Sequence, residues 1–387
     1  MKILLVPTSY PDEANTIRNI FVYEQAKALS REGHEIRILH PQKQPSNKVL
    51  SKINKEISVH DDGYAVRFCR PVKTFMEGTF ASINKILFLN AINDLYRCAT
   101  ADGWNPDVIY AHFSCWAGYA AVMLGKQHHI PVAVMEHYSG YMNDNPPHKL
   151  VDGLRFVVEN ANALLCVSYN LKERVIQLTE TRKQIYVVPN MIDPIFQYHS
   201  HDHNERFVFC AVCNLNARKR VKELVNAFCK AFNVNDNVDL VIGGDGPEKN
   251  SISDSIKHNN RENQVHLLGR LDRKATAELY NRANCFALVS AHETFGIVWR
   301  EAMAVGLPVI TSNHEGWTNE DWSDDFGIMV RVDSEEDLIK AMRKMKNDYD
   351  MYDRRKISKY CVEHYSETAV VSQIEDVLRK VCVFSIK

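Results

Sequence analysis

Two glutamates, Glu293 and Glu301, frame the stretch Glu293-Thr-Phe-Gly-Ile-Val-Trp-Arg-Glu301-Ala-Met-Ala-Val-Gly-Leu-Pro-Val-Ile310. A strand over 285–289 feeds a loop, and the pattern predicts a helix that begins near Phe295 or Gly296 and ends by Gly306. The start of a helix offers unsatisfied backbone N–H groups and the positive end of its dipole, which suit a phosphate or a sugar oxygen. Glu293 lies just before that start and Glu301 inside the helix, so one carboxylate can face a sugar while the other reaches a ribose. Carboxylates only accept hydrogen bonds, which fits a ligand rich in hydroxyls. For an isolated pair the alternative is a capping Glu293 and a solvated Glu301.

Other spacings invite chemistry and are set aside. Cys210 and Cys213 spell a CxxC, but they lie in or just after a strand, where positions three apart face opposite sides, and zinc needs two further ligands. His199, His201 and His203 could share one face of an extended segment, yet no second ligand cluster follows, and a solvated linker is the preferred reading. Asp348-Tyr-Asp350 spells a metal-binding DxD inside a charged helical tail and reads as a solvated face. Gly243-Gly-Asp-Gly-Pro247 follows a strand and precedes a helix, a turn that wants glycine whatever its function.

These residues must be positioned by a chain of 387 residues, a length that suggests two domains. Short apolar runs alternate with helical patterns throughout, the βαβα order of an α/β fold with parallel sheets. In the first half the strands are expected over 3–7, 35–39, 65–70, 108–111, 132–136, 163–167 and 185–188. In the second they are expected over 207–212, 238–242, 265–268, 285–289 and 308–311. The polar stretch 190–206 breaks the alternation and reads as a linker between two Rossmann-like domains, with the boundary near 195. The tail from Asp333 to Lys380 is helical, with Leu338, Met342 and Met345 on one stripe and Val371, Ile374, Val377 and Leu378 on another.

Lys and Arg number 47 against 48 Asp and Glu, so the net charge of −1 carries no footprint of a nucleic-acid partner. Ten cysteines scattered over a long chain read as reduced thiols of a cytoplasmic protein. The N-terminal apolar run is shorter than the core of a signal peptide, and no stretch reaches the ~18 apolar residues of a transmembrane helix. Residues 37–85 hold nine Lys or Arg against four Asp or Glu. With Phe75, Met76, Phe80, Ile83, Ile86, Leu87 and Phe88 beside them, they could dock peripherally on the inner face of an anionic membrane. Core packing is the expectation for most of those apolar side chains.

The eighteen residues from Glu293 to Ile310 resemble the E-x7-E motif of the retaining glycosyltransferases of family four, the glycosyl transferases group 1. Further matches run in the family's order. Val188-Pro-Asn-Met-Ile-Asp193 with Phe196 resembles the segment leading into the second domain, with Met191 where Gly is usual. Cys213-Asn-Leu-Asn-Ala-Arg-Lys-Arg-Val221 is similar to G-R-L-x-x-x-K-G-V, and Lys219 falls on the phosphate-binding lysine. Asn214 replaces an arginine there, and Arg218 or Arg220 could supply its charge. Gly243-Gly-Asp-Gly-Pro247 matches G-D-G-P and puts Gly244 at the donor. Arg18-Asn-Ile-Phe-Val-Tyr-Glu-Gln25 resembles R-G-I-F-V-x-E-Q, the loop and helix start that approach the donor phosphate and the acceptor. Asn19 stands on a glycine position, and asparagine tolerates the left-handed conformation better than most residues. Glu136-His-Tyr-Ser-Gly140 is similar to E-H-x-S-G. His137 would then face the transferred sugar, the alternative being a capping or core histidine. His112, in Ala111-His-Phe113, is read as supporting or structural.

The resemblance implies the GT-B fold, two Rossmann-like domains facing across a cleft, the donor on the second and the acceptor on the first. It implies transfer of a sugar from a nucleotide diphosphate donor to a hydroxyl acceptor, a saccharide or lipid-linked saccharide, in polysaccharide or glycolipid assembly. No cofactor and no metal are expected: Lys219, one of Arg218 or Arg220, and the N–H groups at Phe295, Gly296 and Ile297 would meet the charge growing on the diphosphate. The acceptor hydroxyl would attack on the face the leaving group departs from, the diphosphate taking the proton. The last helix, about 366–387, would cross back onto the first domain. Rival readings are a nucleotide-sugar epimerase of the same fold, a non-catalytic sugar-binding protein, and an inactive homologue that Asn19, Asn214 and Met191 would explain.

Overall fold

The structure is a computed structural model that describes residues 1–11, 19–45, 56–74, 81–200, 205–313, 317 and 322–384. The chain forms two compact units, Met1–Met191 with Val370–Lys387, and Ile192–Ala369. Each is built on one sheet with helices in its crossovers.

In the first unit the elements run β1 (Lys2–Pro7), α1 (Ile20–Arg31), β2 (Glu35–Pro45), β3 (Ser58–Asp61), β4 (Val66–Thr74), α2 (Ala81–Ala99), β5 (Val108–His112), α3 (Tyr119–His128), β6 (Val132–Glu136), α4 (His148–Asn160), β7 (Ala163–Cys166), α5 (Tyr169–Thr179) and β8 (Ile185–Val187). The sheet order is β3-β4-β2-β1-β5-β6-β7-β8, parallel except for β3, which pairs antiparallel with β4. Ile3, Leu4, Leu5 and Val6 are wholly inaccessible, because a strand covered on both faces has no polar side to show. Sequence patterning found seven of these strands and missed β3. Ser58, Val59, His60 and Asp61 are all exposed, so no apolar face marks the strand. It also stopped β2 at Leu39, whereas pairing with β4 continues to Pro45↔Thr74 through the Pro41-Gln-Lys-Gln-Pro45 stretch, which has no apolar run.

In the second unit follow β9 (Phe207–Val212), α6 (Val221–Ala231), β10 (Val238–Gly243), α7 (Lys249–His258), β11 (Val265–Gly269), α8 (Arg273–Arg282), β12 (Cys285–Leu288), α9 (Ile297–Ala304), β13 (Val309–Ser312), β14 (Gly327–Val330), α10 (Glu335–Asn347) and α11 (Arg354–Tyr365). The order is β11-β10-β9-β12-β13-β14, and the described pairings are all parallel. The strand β14 was also missed. The unit begins at Ile192 rather than near 195, because Ile192 and Phe196 are buried and Phe196 packs on Tyr280 with ring centroids 5.7 Å apart.

The final helix, α12 (Glu367–Phe384), leaves the second unit and belongs from Val370 onward to the first. Val370, Val371, Ile374, Val377, Leu378 and Val381 are buried at three- and four-residue spacing, one stripe of an amphipathic helix. Polar contacts fix its register. His34 bonds Glu375, the Cys382 thiol donates to the Asp107 carbonyl at 3.6 Å, and the Lys380 ammonium stands 5.8 Å from the Tyr186 ring centre.

In both sheets the strand order reverses beside the first strand, between β1 and β5 and between β9 and β12. At such a switch point the flanking loops diverge and leave a crevice beyond the carboxyl ends of the strands, where ligands of open α/β sheets bind.

Candidate active site

The second unit assembles three turns at its switch point. After β9, Ala217–Lys219 form a single 3₁₀ turn, and Arg220 takes the left-handed conformation that starts α6. After β10, Gly243 to Pro247 lie against that turn: the Cys213 N–H donates to the Gly243 carbonyl at 3.1 Å and the Leu215 N–H to Asp245 at 3.0 Å. The approach forbids a side chain at Gly244, whose Cβ would fall 1.9 Å from the Cys213 carbonyl oxygen. After β12, the Ala291 N–H donates to the Arg218 carbonyl at 2.8 Å, tying the third turn to the first.

Those ties bring the Lys219 ammonium onto the Glu293 carboxylate, both side chains close to nine-tenths buried. Gly296, left-handed at φ 72, then starts α9 without a side-chain cap. A Cβ there would lie 2.6 Å from the Trp299 ring, so glycine is required to let the chain enter the helix over that indole. The helix starts at Ile297, two residues later than the earliest expectation. Phe295 is buried and packs on the Arg300 guanidinium, 4.4 Å from its ring centre. Cys213 sits beside this cluster, and burial pushes its thiol up to about 11 against the opposing pull of Lys219. The thiol is therefore protonated at neutral pH and inert.

Glu301 is 3% exposed and faces α8, where it takes the Arg273 guanidinium; Arg273 also reaches Asp193 at 3.3 Å and lies 5.1 Å from the Phe196 ring centre. The carboxylate is therefore not a solvated helix residue. Sequence reading missed Arg273 because an arginine in the first turn of a polar helix carries no signal of its own. Arg220 does not join the Lys219 cluster. Its guanidinium is held by Asp333 and, at 3.9 Å, Glu223; of the two cations expected near Asn214, Arg218 remains the candidate.

In the first unit the switch point lies between β1 and β5, and the ends of β5 and its neighbour β6 flank it. His112 closes β5 and His137 follows β6, and His112 Nδ1 lies 3.1 Å from His137 Nε2. Both rings are buried, His137 among Phe21, Phe113 and His112. Burial holds the His112 pKa down to about 3, and burial with its neighbour His112 holds His137 well below its ordinary value. Both are neutral at pH 7. Glu136 fastens the same loops: one carboxylate oxygen accepts the Ser114 N–H and the other accepts the His137 and Tyr138 N–H groups, each at 2.8 Å. Burial raises its pKa and these donors oppose the rise. Phe113 at φ 73 and Trp116 at φ 64 strain the backbone beside it. Sequence reading treated His112 as supporting and gave Glu136 no role.

Asn19 is left-handed at φ 49 and starts α1, its side-chain amide donating to Ser9 Oγ at 2.7 Å, so asparagine keeps the turn that glycine would make. Met191 is buried with ordinary negative φ, so a side chain is accommodated there. Arg18 lies outside the described residues, as do His201, His203, Phe75, Met76 and Phe80. Of the apolar run in 75–88, Phe88 is buried while Ile83 and Ile86 are exposed. Among the described residues no helix is long and apolar enough to cross a membrane. The cysteines are free thiols, Asp348 and Asp350 sit between α10 and α11, and among the described residues there is no cluster of metal-ligand type.

Two family models match the chain, Glycosyltransferase Family 4 over residues 19–196 and Glycosyl transferases group 1 over 194–364. A curated relative, the N-acetyl-alpha-D-glucosaminyl L-malate synthase of Bacillus anthracis, is 26% identical over 98% of both chains. Among solved structures, sucrose-phosphate synthase from Thermosynechococcus elongatus aligns over the whole of both chains with a TM-score of 0.80 at 17% identity. Anabaena Alr3699/HepE, solved with UDP and glucose, aligns over 98% of this chain and all of its own with a TM-score of 0.72 at 16% identity. The two models continue one another across the boundary between the units, the solved structures share the architecture, and the chain belongs to the group 1 glycosyltransferases of GT-B fold.

Proposed function

We propose that this enzyme is a retaining, metal-independent glycosyltransferase that moves a sugar from a nucleoside diphosphate donor to a hydroxyl of a saccharide or lipid-linked acceptor in glycan assembly. The observation that carries the reading is the Lys219–Glu293 contact beside the uncapped start of α9, at the switch point of the second unit. A leaving diphosphate gathers negative charge, and a fixed ammonium with oriented N–H groups stabilises that charge at little reorganisation cost. Glu293, already paired with the ammonium, sets the lysine's position and offers an acceptor to sugar hydroxyls. Glu301, aligned by Arg273, is assigned to the ribose. His137, neutral and held among aromatic rings, supplies a hydrogen bond to substrate from the first unit. Retention follows if the acceptor hydroxyl enters on the face the diphosphate leaves, passing its proton to that diphosphate. UDP is the first donor base to try, because HepE was solved with UDP.

The test is transfer from a UDP-sugar to an acceptor panel in excess EDTA, with the anomeric configuration of the product read by proton NMR before mutarotation. Undiminished turnover and an unchanged anomer are expected. Inversion would overturn the mechanism, and loss of activity restored by a divalent ion would overturn metal independence. A peripheral membrane contact through the basic region with Ile83 and Ile86 predicts co-sedimentation with anionic but not neutral vesicles, weakened in Ile83→Ser/Ile86→Ser.

A further inference from the structure

The contact between His112 and His137 has a consequence for proton position. Two neutral imidazoles carry one ring proton each, and a hydrogen bond between Nδ1 of one and Nε2 of the other uses only one of them. If His112 donates, both rings are protonated on Nδ1; if His137 donates, both are protonated on Nε2. The outer nitrogens, His112 Nε2 and His137 Nδ1, are buried and have no hydrogen-bond partner among the described residues. One of them must therefore be a proton donor and the other an acceptor, and no described residue satisfies either.

We propose that His112 is a positioning residue for His137, sharing one proton with it so that the two rings always adopt the same tautomer and His112 fixes whether His137 Nδ1 offers or accepts a hydrogen bond to substrate. The inference rests on the reading of His137 as a substrate contact. The surroundings restrict the alternatives. The His112 backbone is held in β5, its carbonyl taking the Thr8 hydroxyl at 3.2 Å. The His137 backbone is held by Glu136, and Phe21 covers its ring at 4.5 Å between centroids. With both rings fixed, a substrate oxygen can choose only between two proton arrangements, and it changes both rings at once. From the first arrangement to the second the bridging proton passes from His112 Nδ1 to His137 Nε2, the His137 Nδ1 proton leaves to substrate or water, and His112 Nε2 takes one up from water, so the pair keeps two protons. The tautomer of a working histidine is set by the partner of its other nitrogen.

The experiment uses the whole chain with ¹⁵N-labelled histidine. Protonated and bare ring nitrogens resonate far apart, and His112→Asn and His137→Asn assign the signals. Matching tautomers in the two rings are expected, with His137 altered in His112→Phe. His112→Asn, whose amide can replace Nδ1, should keep most of the turnover, and His112→Phe should lose about 10- to 100-fold, the range for removing the partner that orients a functional histidine, at unchanged melting temperature. Opposite tautomers, or a His137 spectrum unaffected by His112→Phe, would overturn the proposal. So would equal turnover in His112→Asn and His112→Phe, because a purely structural residue would not distinguish them once folding is matched. Full activity in His137→Asn would instead remove the assignment of His137 to substrate while leaving the shared proton measurable in the spectrum.

Discussion

At the residue scale the site is made of charges that already have partners, and this decides what their removal does. Truncating Lys219 leaves the Glu293 carboxylate buried without its cation where the diphosphate's charge must grow. Lys219→Ala is expected to lose about 100- to 1,000-fold in turnover at saturating donor, the range for one preorganised electrostatic contact. Adding Glu293→Ala should cost less than it does alone, since the residues form one pair. Glu301→Ala should weaken nucleotide binding about 10- to 150-fold by calorimetry, for a charge-assisted hydrogen bond of roughly 1.5–3 kcal/mol; unchanged affinity in a folded variant would dismiss the ribose role. The neutral histidines give a pH effect of definite sign. Below their ordinary value of 6.5 the unfolded chain takes up protons that the folded His112 and His137 refuse. Stability therefore falls as pH drops through 6.5 toward about 3 for His112, by up to ~1.4 kcal/mol per unit for each. Glu136, raised above 4.5, acts in the opposite sense just above that value. The comparison is thus urea midpoints of wild type and His112→Phe, expected to match near neutrality, with the wild type falling below the variant as the pH is lowered. Glu293 and Glu301 were legible as candidates by their places around an expected helix start, and Lys219 by the family resemblance. Arg273, Glu136 and the role of His112 were not, because a partner distant in sequence defines each of them.

At the scale of elements, turns hold the chemistry and the helices and strands hold the turns. Gly244 and Gly296 each allow a close approach, one to the Cys213 carbonyl and one to the Trp299 ring. Gly244→Ala should displace the turn after β9 and with it Lys219. We expect a destabilisation of a few kcal/mol, from left-handed strain of about 1–3 kcal/mol plus the clash, and a larger fractional loss of donor affinity than of melting temperature. Strands that are buried on both faces showed in the sequence as apolar runs, and α12 showed as a stripe. The antiparallel edge strand β3 and the extension of β2 beyond Leu39 did not, because they are held by pairing with β4 and carry no alternating or continuous apolar pattern. For α12 the stripe gave the helix but not the surface it covers; that came from the resemblance. Ile374→Ala, emptying a site with no solvent exposure, should cost about 2–5 kcal/mol. The first unit should register the loss in hydrogen exchange, with protection falling in β1 and α1 and kept in β9 and β12.

At the scale of the whole molecule the chain crosses between its two compact units twice, at Met191–Ile192 and Ala369–Val370. Both units were legible as alternating βα series, since parallel sheets need crossovers and crossovers set the period. A nucleoside diphosphate bound to the second unit stabilises that unit by RT ln(1 + [L]/Kd), about 2.7 kcal/mol at a hundredfold excess over Kd. For a unit of this size that is a rise of roughly 5–10 °C in its transition. A panel of UDP, GDP, ADP and free sugars, followed by calorimetry, should show one nucleotide dominating, the others weaker, and free sugars hardly acting, because base, ribose and diphosphate make the assigned contacts. The shift should shrink in Lys219→Ala and Glu301→Ala and persist in Ile374→Ala, whose damage lies in the other unit. A nucleotide shift lost in Ile374→Ala would mean that the donor site depends on the first unit's integrity. A response to free sugar with none to any nucleotide would overturn the donor assignment of the second unit altogether.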